Sequence, residues 1–423
     1  MHTSDIIRRL HSNKTLLNGA LFSMFSFFNR GISFVLLLIL ANYITPQEYG
    51  FLNLYSTVGM VLGYFIALST QGYSSIVYFK EGNKGIAKTF SVVLLISSIM
   101  LCLYFAILLI GRNVLPESLH LGFSVLVIAI LVSFFQVFSY FFYDYYRLKE
   151  NVLLYGLYSC GIALLNFLVS IYFVKFLGLS WYGRVYAELL CTVLIGCISI
   201  GYFTKNGFLT TQIKDYIKPM LFWGVPLIPH LATTFIRQGC DRYIINSSHT
   251  LADVGLFSFA LNLCNIITMV GYGFNQSNSV DIYKVLSNKS ISDTEKIRNI
   301  SKQKNIFLAL YTCVTVLVIV CCYFILPIAL PKYATSLQYF PILAIYGMLI
   351  CYYLIYTNFL FFYKKTKILM YITLTSSVIH LLLSLAFTRY SLYITASLYV
   401  FTQLLVVLTV RWQANKLLKV NVV

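Results

Sequence analysis

Residues 305–330 read NIFLALYTCVTVLVIVCCYFILPIAL, an uncharged run that directly follows Lys302 and Lys304. A helix needs about 20 apolar residues to cross a bilayer, so this run predicts a membrane-spanning helix. The 423-residue chain is 59% hydrophobic and 10% charged, whereas soluble proteins carry about 25% charged residues. About twelve such apolar stretches cover residues 16–41, 49–79, 86–111, 120–146, 152–176, 180–203, 217–240, 252–277, 305–330, 336–363, 368–388 and 391–411. The sequence therefore predicts an all-α integral membrane protein with about 12 transmembrane helices.

Basic residues lie almost wholly in alternate gaps between these stretches. One set of gaps holds 23 of the 31 Lys and Arg residues, and the other holds only Arg112, Lys175, Arg242, Lys332 and Arg389. Because cytoplasmic loops carry the excess of Lys and Arg, we expect both termini to be cytoplasmic and the number of spans to be even. The net charge of +18 is explained by these loops, so nucleic acid is not an expected partner.

Two short segments suggest that the halves of the chain are related. Residues 45–54 read TPQEYGFLNL and residues 250–259 read TLADVGLFSF, so that Gly50 aligns with Gly255 and an acidic residue precedes each glycine by two places. Six spans in each half, both starting in the cytoplasm, indicate a parallel repeat. We expect two six-helix bundles, residues 1–205 and 206–423.

Polar side chains recur at helical spacing within at least five spans. In lipid such side chains are costly unless they face the bundle interior or a wet cavity. Residues three and four apart share a helix face, and this many polar faces favour a central aqueous cavity. The candidate substrate-binding residues on these faces are Gln136, Tyr140, His230, Arg237, Asn262, Asn265, Tyr272 and Gln276. By contrast, Gly59, Gly63 and Ala67 form a small-residue stripe that predicts close helix packing.

Arg30 lies in the first span with no acidic residue nearby in that span. A charge at mid-span costs about 2.5–3.5 kcal/mol on insertion scales. Arg30 either snorkels or pairs with an acid on another helix, or it lines a cavity for an anionic substrate. Arg237 has Asp241 four residues later, so a structural ion pair and a substrate contact are both open.

Further charged residues lie near the ends of spans, where a gate or a structural ion pair is expected. The candidate gate or ion-pair residues are Asp241, Arg242, Arg184, Glu188, Asp144 and Arg147. Pro226 and Pro229 remove backbone donors and predict a hinge in the seventh span. His230 either couples transport to a proton gradient or is a neutral, hydrogen-bonded histidine, and His380 is the weaker candidate.

The sequence shows no nucleotide-binding, zinc-protease or nucleophile–base motif. Its ten cysteines are scattered without metal-ligand spacing. We therefore expect a transporter rather than an enzyme, with no metal or cofactor. Energy would come from a gradient of H+ or Na+, or from the gradient of the substrate itself.

Three motifs carry a family resemblance: Pro46–Gly50, the segment 224–230 (GVPLIPH) and the segment 241–245 (DRYII). With the length and span count, the chain resembles the polysaccharide-transporter family of the multidrug/oligosaccharidyl-lipid/polysaccharide exporter superfamily, in particular bacterial O-antigen and capsule repeat-unit flippases. The resemblance implies two six-helix bundles around a cationic cavity in the bacterial cytoplasmic (inner) membrane. It implies translocation of an undecaprenyl-diphosphate-linked oligosaccharide by alternating access, and it implies a polysaccharide polymerase and chain-length machinery as partners.

Three alternatives stay open at this point. A peptidoglycan-precursor flippase and a cation-coupled multidrug exporter belong to the same superfamily. Drug exporters commonly carry acidic residues in their cavity helices, whereas the first span here offers Arg30 and no acid. A membrane polysaccharide polymerase would be expected to have a long outer loop, and no outer loop of such length is visible. The motifs do not identify the sugars of the repeat unit.

Overall fold

The computed structural model describes residues 14–288 and 290–422; the side chains of several of these, His230 and Gln276 among them, lie outside the description. Every regular element of the described chain is helical, which confirms the predicted all-α class. The helices are α1 (Lys14–Tyr43), α2 (Pro46–Phe65), α3 (Ser74–Ile110), α4 (Leu115–Ser118), α5 (Phe123–Leu148), α6 (Val152–Ile171), α7 (Ser180–Lys205), α8 (Lys214–Gly224), α9 (Ile228–Thr234), α10 (Cys240–Ser248), α11 (Leu251–Ser287), α12 (Asp293–Ala329), α13 (Phe340–Phe362), α14 (Thr366–Phe387) and α15 (Leu392–Val422).

Eleven stretches of the described chain are long and apolar enough to cross a membrane. The difference from the predicted twelve is α2, which is a 20-residue helix but carries Gln47, Glu48 and Asn53. These polar residues lower the mean hydropathy of α2. The chain is thus a multi-pass membrane protein.

The chain forms two compact units. The first unit comprises Met1–Ile44 and Leu54–Ala232, and the second comprises Thr45–Asn53 and Thr233–Val423. Aromatic side chains fill the core of the first unit, and aliphatic and aromatic side chains such as Leu360 fill a core in the second. The two halves predicted from the sequence repeat, 1–205 and 206–423, stay a prediction.

The two related segments fold alike. The backbone nitrogen of Thr45 donates to Glu48 Oε2 over 2.7 Å, and the Glu48 nitrogen donates to the Thr45 hydroxyl. Thr250 and Asp253 form the same reciprocal arrangement, a capping box that satisfies free N–H groups at the helix start. The glycines that follow pack within the second unit: a Cβ on Gly255 would collide with the carbonyl group of Pro46. In both segments a capping box starts the helix, and a glycine follows where a Cβ would collide with a neighbouring backbone carbonyl group.

The region of Pro226 and Pro229 breaks into short helices. After α8 the chain forms a 3-10 turn (Val225–Leu227), then α9, a π turn (Phe235–Gly239) and α10. Proline lacks the N–H that would continue the α-helical ladder, which explains the interruption. Gly224 lies directly against the backbone of Leu68, where any Cβ would collide. A hinge role for the two prolines stays a prediction.

Candidate functional site

A buried cluster of polar side chains lies within the second unit, where α10 meets α14. Asp241 is 1% exposed and His380 is fully buried. Oδ2 of Asp241 lies 2.8 Å from His380 Nε2, and the hydroxyl of Ser384 donates to Oδ1 over 2.7 Å. Asp241 therefore pairs with a histidine 139 residues away. A structural ion pair of Asp241 with Arg237 was one of the two possibilities predicted for Arg237, and Asp241 has His380 as its partner instead.

The hydrogen bonds of this cluster continue from His380 to α15. His380 Nδ1 lies 3.2 Å from the Thr402 hydroxyl, which is also 2.8 Å from the carbonyl oxygen of Leu398. A histidine nitrogen can donate or accept a hydrogen bond, so the ring joins Asp241 on one side to Thr402 on the other. Because Asp241 and His380 are both buried, these hydrogen bonds satisfy polar groups that water does not reach.

Aromatic and amide side chains surround the cluster. The Tyr399 ring lies 4.7 Å from the His380 ring, and its buried hydroxyl lies close to the Asp241 carboxylate. The Oε1 atom of Gln403 is buried and unpartnered among the described residues. Arg242, a candidate gate residue, donates to the carbonyl oxygen of Asn53 over 3.0 Å within the second unit.

Arg237 lies in the π turn before α10 and presents an incompletely bonded guanidinium. Its Nε and Nη2 atoms are buried and have no hydrogen-bond partner in the described part of the chain. Arg237 and Tyr272 both lie within electrostatic range of the Tyr353 hydroxyl. A guanidinium with buried, unused donors is a place where an anion would form short, charge-assisted hydrogen bonds.

The asparagines of α11 form a chain of amide contacts. Asn262 donates to the Tyr49 hydroxyl over 2.6 Å, and Asn265 lies 3.4 Å from Asn262 Oδ1. The sequence did not indicate the pair of Asn275 and Asn358, whose side chains bond to each other at 2.9 Å because two helices bring them together. Asn262 thus holds the cap segment within the second unit; a substrate contact by these residues stays a prediction.

A cavity of about 370 Å³ lies within the first unit. Two candidate substrate-binding residues, Gln136 and Tyr140, line it together with Glu188. Gly59 and Gly63 also line it, and beyond their own helix backbone no atom of the described residues lies within 4 Å of the position that a Cβ would take on either glycine. The predicted close packing is therefore wrong at Gly59 and Gly63, which border open space, whereas Ala67 is buried.

The other predicted charged residues of the first unit fall into two groups. Arg184 lies 3.9 Å from Glu188 and donates to Asn166 over 2.9 Å, and Arg147 pairs with Asp144 at 2.9 Å. The spacing of four and three residues was the sequence signal for the two ion pairs. Arg30 is exposed on α1.

Two further candidate residues, His230 and Gln276, have side chains outside the described part of the chain.

Known proteins resemble this chain in sequence and in fold. Residues 16–280 match the family described as "Polysaccharide biosynthesis protein". A protein of the Lsg locus of Haemophilus influenzae is 24% identical over 221 residues, 49% of this chain, and the chain spans about half (52%) of the length of that relative.

Two solved structures show the fold. An inward-facing multidrug resistance MATE family transporter of the MOP superfamily superposes with a TM-score of 0.74 at 12% identity, over 94% of this chain and 95% of that one. A MATE structure in the bent conformation gives 0.59 at 13% identity, over 96% and 97%. At such identities the likeness establishes the fold alone, and it is a transporter fold.

Proposed function

Because the chain belongs to the family of polysaccharide biosynthesis proteins, as the resemblance predicted, and has the MATE transporter fold, we propose that it is a flippase for lipid-linked oligosaccharides. It would move an undecaprenyl-diphosphate-linked repeat unit of O-antigen, capsule or a similar polymer from the cytoplasmic to the outer leaflet of the bacterial inner membrane, by alternating access. Both termini would lie in the cytoplasm. A polymerase and the chain-length machinery would take over the product.

Arg237 is the observation that carries this proposal. Arg237 is half-buried, and its buried Nε and Nη2 atoms, which have no partner among the described residues, are unfavourable unless an anion supplies the missing acceptors. A diphosphate offers several oxygens in the planar, paired geometry that arginine recognises best. The positive charge also disfavours a cationic drug as the substrate. Arg30, on α1 of the first unit, would be a separate candidate for contacting an anionic substrate.

Coupling to protons is part of the proposal. Asp241 and His380 form a buried, hydrogen-bonded pair, and ionisable groups inside a membrane are functional candidates by default. The pair would release a proton when it opens to water on one side of the membrane, and it would take one up when it opens to the other side. Arg237 and Arg242 are the cations on the same stretch of chain, and Tyr399 faces His380 from α15.

A gene-deletion strain tests the function. We expect surface polysaccharide to be missing and lipid-linked repeat units to accumulate on the cytoplasmic leaflet. Plasmid-borne Arg237→Ala should fail to restore surface polymer, Arg237→Lys should restore part of it, and the exposed control Arg389→Ala should restore all of it. Normal surface polymer in the deletion strain would refute the proposal. Lysis of the deletion strain would instead favour a peptidoglycan-precursor flippase.

A further inference from the structure

The cavity of the first unit is large enough for a small ligand. Its volume of about 370 Å³ lies within the range of about 300–1,000 Å³ that is usual for ligand pockets. At about 30 Å³ for each water, it equals the space of roughly a dozen water molecules, which suits one or two sugar rings. Residues of α2, α5, α7 and α9 and of the turn after α2 form its wall.

The lining of this cavity is polar and aromatic but not basic. Three tyrosines, Tyr55, Tyr64 and Tyr140, and two glutamines, Gln71 and Gln136, contribute to it. Glu188 is the one charged side chain among the described lining residues. Its ion-pair partner Arg184, 3.9 Å away, is not among the lining residues, so the carboxylate is the charged group that the cavity presents. A carboxylate disfavours a phosphate or a sugar acid and accepts hydrogen bonds from hydroxyl or ammonium groups.

Two features of the wall are unused by the protein itself. The Oε1 atom of Gln71 is buried without a hydrogen-bond partner in the described chain, so one acceptor is unsatisfied. At Gly59 and Gly63 no described atom outside their own helix lies within 4 Å of where a Cβ would be, so helix backbone faces the cavity. Flat backbone and tyrosine rings suit the C–H faces of a pyranose, while the amides suit its hydroxyls.

We propose that this cavity binds a sugar ring of the oligosaccharide, and that it accepts a neutral or amino sugar and rejects an acidic one. The inference rests on the proposed function for the identity of the substrate, and it concerns the first unit alone. Glu188 sets the charge preference, and Gln71 and Gln136 meet the hydroxyl groups. The arginine of the second unit has no part in this selection.

Binding of three short-chain probes to the purified full-length protein in nanodiscs tests this subsite. The probes are farnesyl diphosphate, the same lipid carrying N-acetylglucosamine, and the same lipid carrying glucuronic acid. Two added hydrogen bonds at about 1 kcal/mol each should make the N-acetylglucosamine probe bind at least about tenfold more tightly than the sugar-free probe. The glucuronic acid probe should show no such gain, and Glu188→Gln should reduce the difference between the two sugars.

Gly59→Leu is the decisive variant because its side chain extends into the cavity, where no described residue of another element lies within 4 Å of the added Cβ. It should abolish the gain from N-acetylglucosamine and leave binding of farnesyl diphosphate unchanged. The matched control Gly161→Leu, also at an open glycine but on α6 outside the cavity, should keep the gain.

The outcomes separate the two proposals. If wild type binds farnesyl diphosphate but gains nothing from the sugar, or if Gly59→Leu keeps the full gain, the sugar subsite is refuted and the flippase proposal stands. If wild type binds none of the probes, the flippase proposal is refuted together with the subsite.

Discussion

Asp241 and His380 should depend on each other, so that replacing either residue alone lowers the free energy of unfolding strongly. Replacing Asp241 by Ala leaves the His380 ring and the Ser384 hydroxyl without their 2.8 Å and 2.7 Å partners. Removing one member of a buried ion pair costs about 3–5 kcal/mol, and His380→Ala should cost a similar amount because it strands the carboxylate. The double variant removes both partners, so it should cost less than the sum of the single variants by up to about 3 kcal/mol.

The free energy of unfolding of the purified protein, measured for wild type and the three variants, gives this coupling energy. Asp144 and Arg147 provide the control cycle, because their ion pair is partly exposed, with side-chain exposures of 33% and 55%. A cycle at such a site should give at most about 1 kcal/mol. If the effects of Asp241→Ala and His380→Ala simply add, the two residues do not stabilise the fold as a hydrogen-bonded pair.

Three further predictions concern the caps and the topology. Gly255→Ala should destabilise the protein by about 1–3 kcal/mol, since a Cβ there meets the Pro46 carbonyl group. The control Gly273→Ala, at an open position, should leave stability unchanged. Equal thermal stabilities of the two variants would contradict the close packing of Gly255 against Pro46. Thr250→Ala should cost about 1 kcal/mol of unfolding free energy because it removes the capping box, and an unchanged value would show that the cap is dispensable. In a cysteine-free background, Ser290→Cys should react with an impermeant maleimide only in opened cells, and reaction in intact cells would overturn the cytoplasmic placement of this loop.

Apolar periodicity predicted the helical membrane class, because a bilayer demands long apolar helices whatever their partners are. Helical spacing also predicted the pairs of Arg184 with Glu188 and of Asp144 with Arg147, which are local. It could not identify the partner of Asp241, since His380 comes from a different helix. The π turn at Phe235–Gly239 also changes the helical register between Arg237 and Asp241, so their spacing of four does not place them on one α-helical face.

The glycines of α2 also show what helical spacing cannot predict. A stripe of Gly59 and Gly63 indicates that space is left open on one face of a helix, but not whether a neighbouring helix or a cavity occupies that space. Here a cavity does. Its tyrosine and glutamine lining is assembled from two helices and a turn, and such a combination leaves no spacing signal in any one of them.

Translocation by the purified protein in proteoliposomes tests the central claim most directly. The substrate is an undecaprenyl-diphosphate-linked oligosaccharide, and the readout is the fraction that reaches the opposite leaflet with and without a proton gradient. We predict that the wild-type protein transports the substrate and that a proton gradient accelerates this transport. Arg237→Ala should abolish transport, and Arg237→Lys should restore part of it. No transport by wild type, or transport by Arg237→Ala at the wild-type rate, would contradict the account.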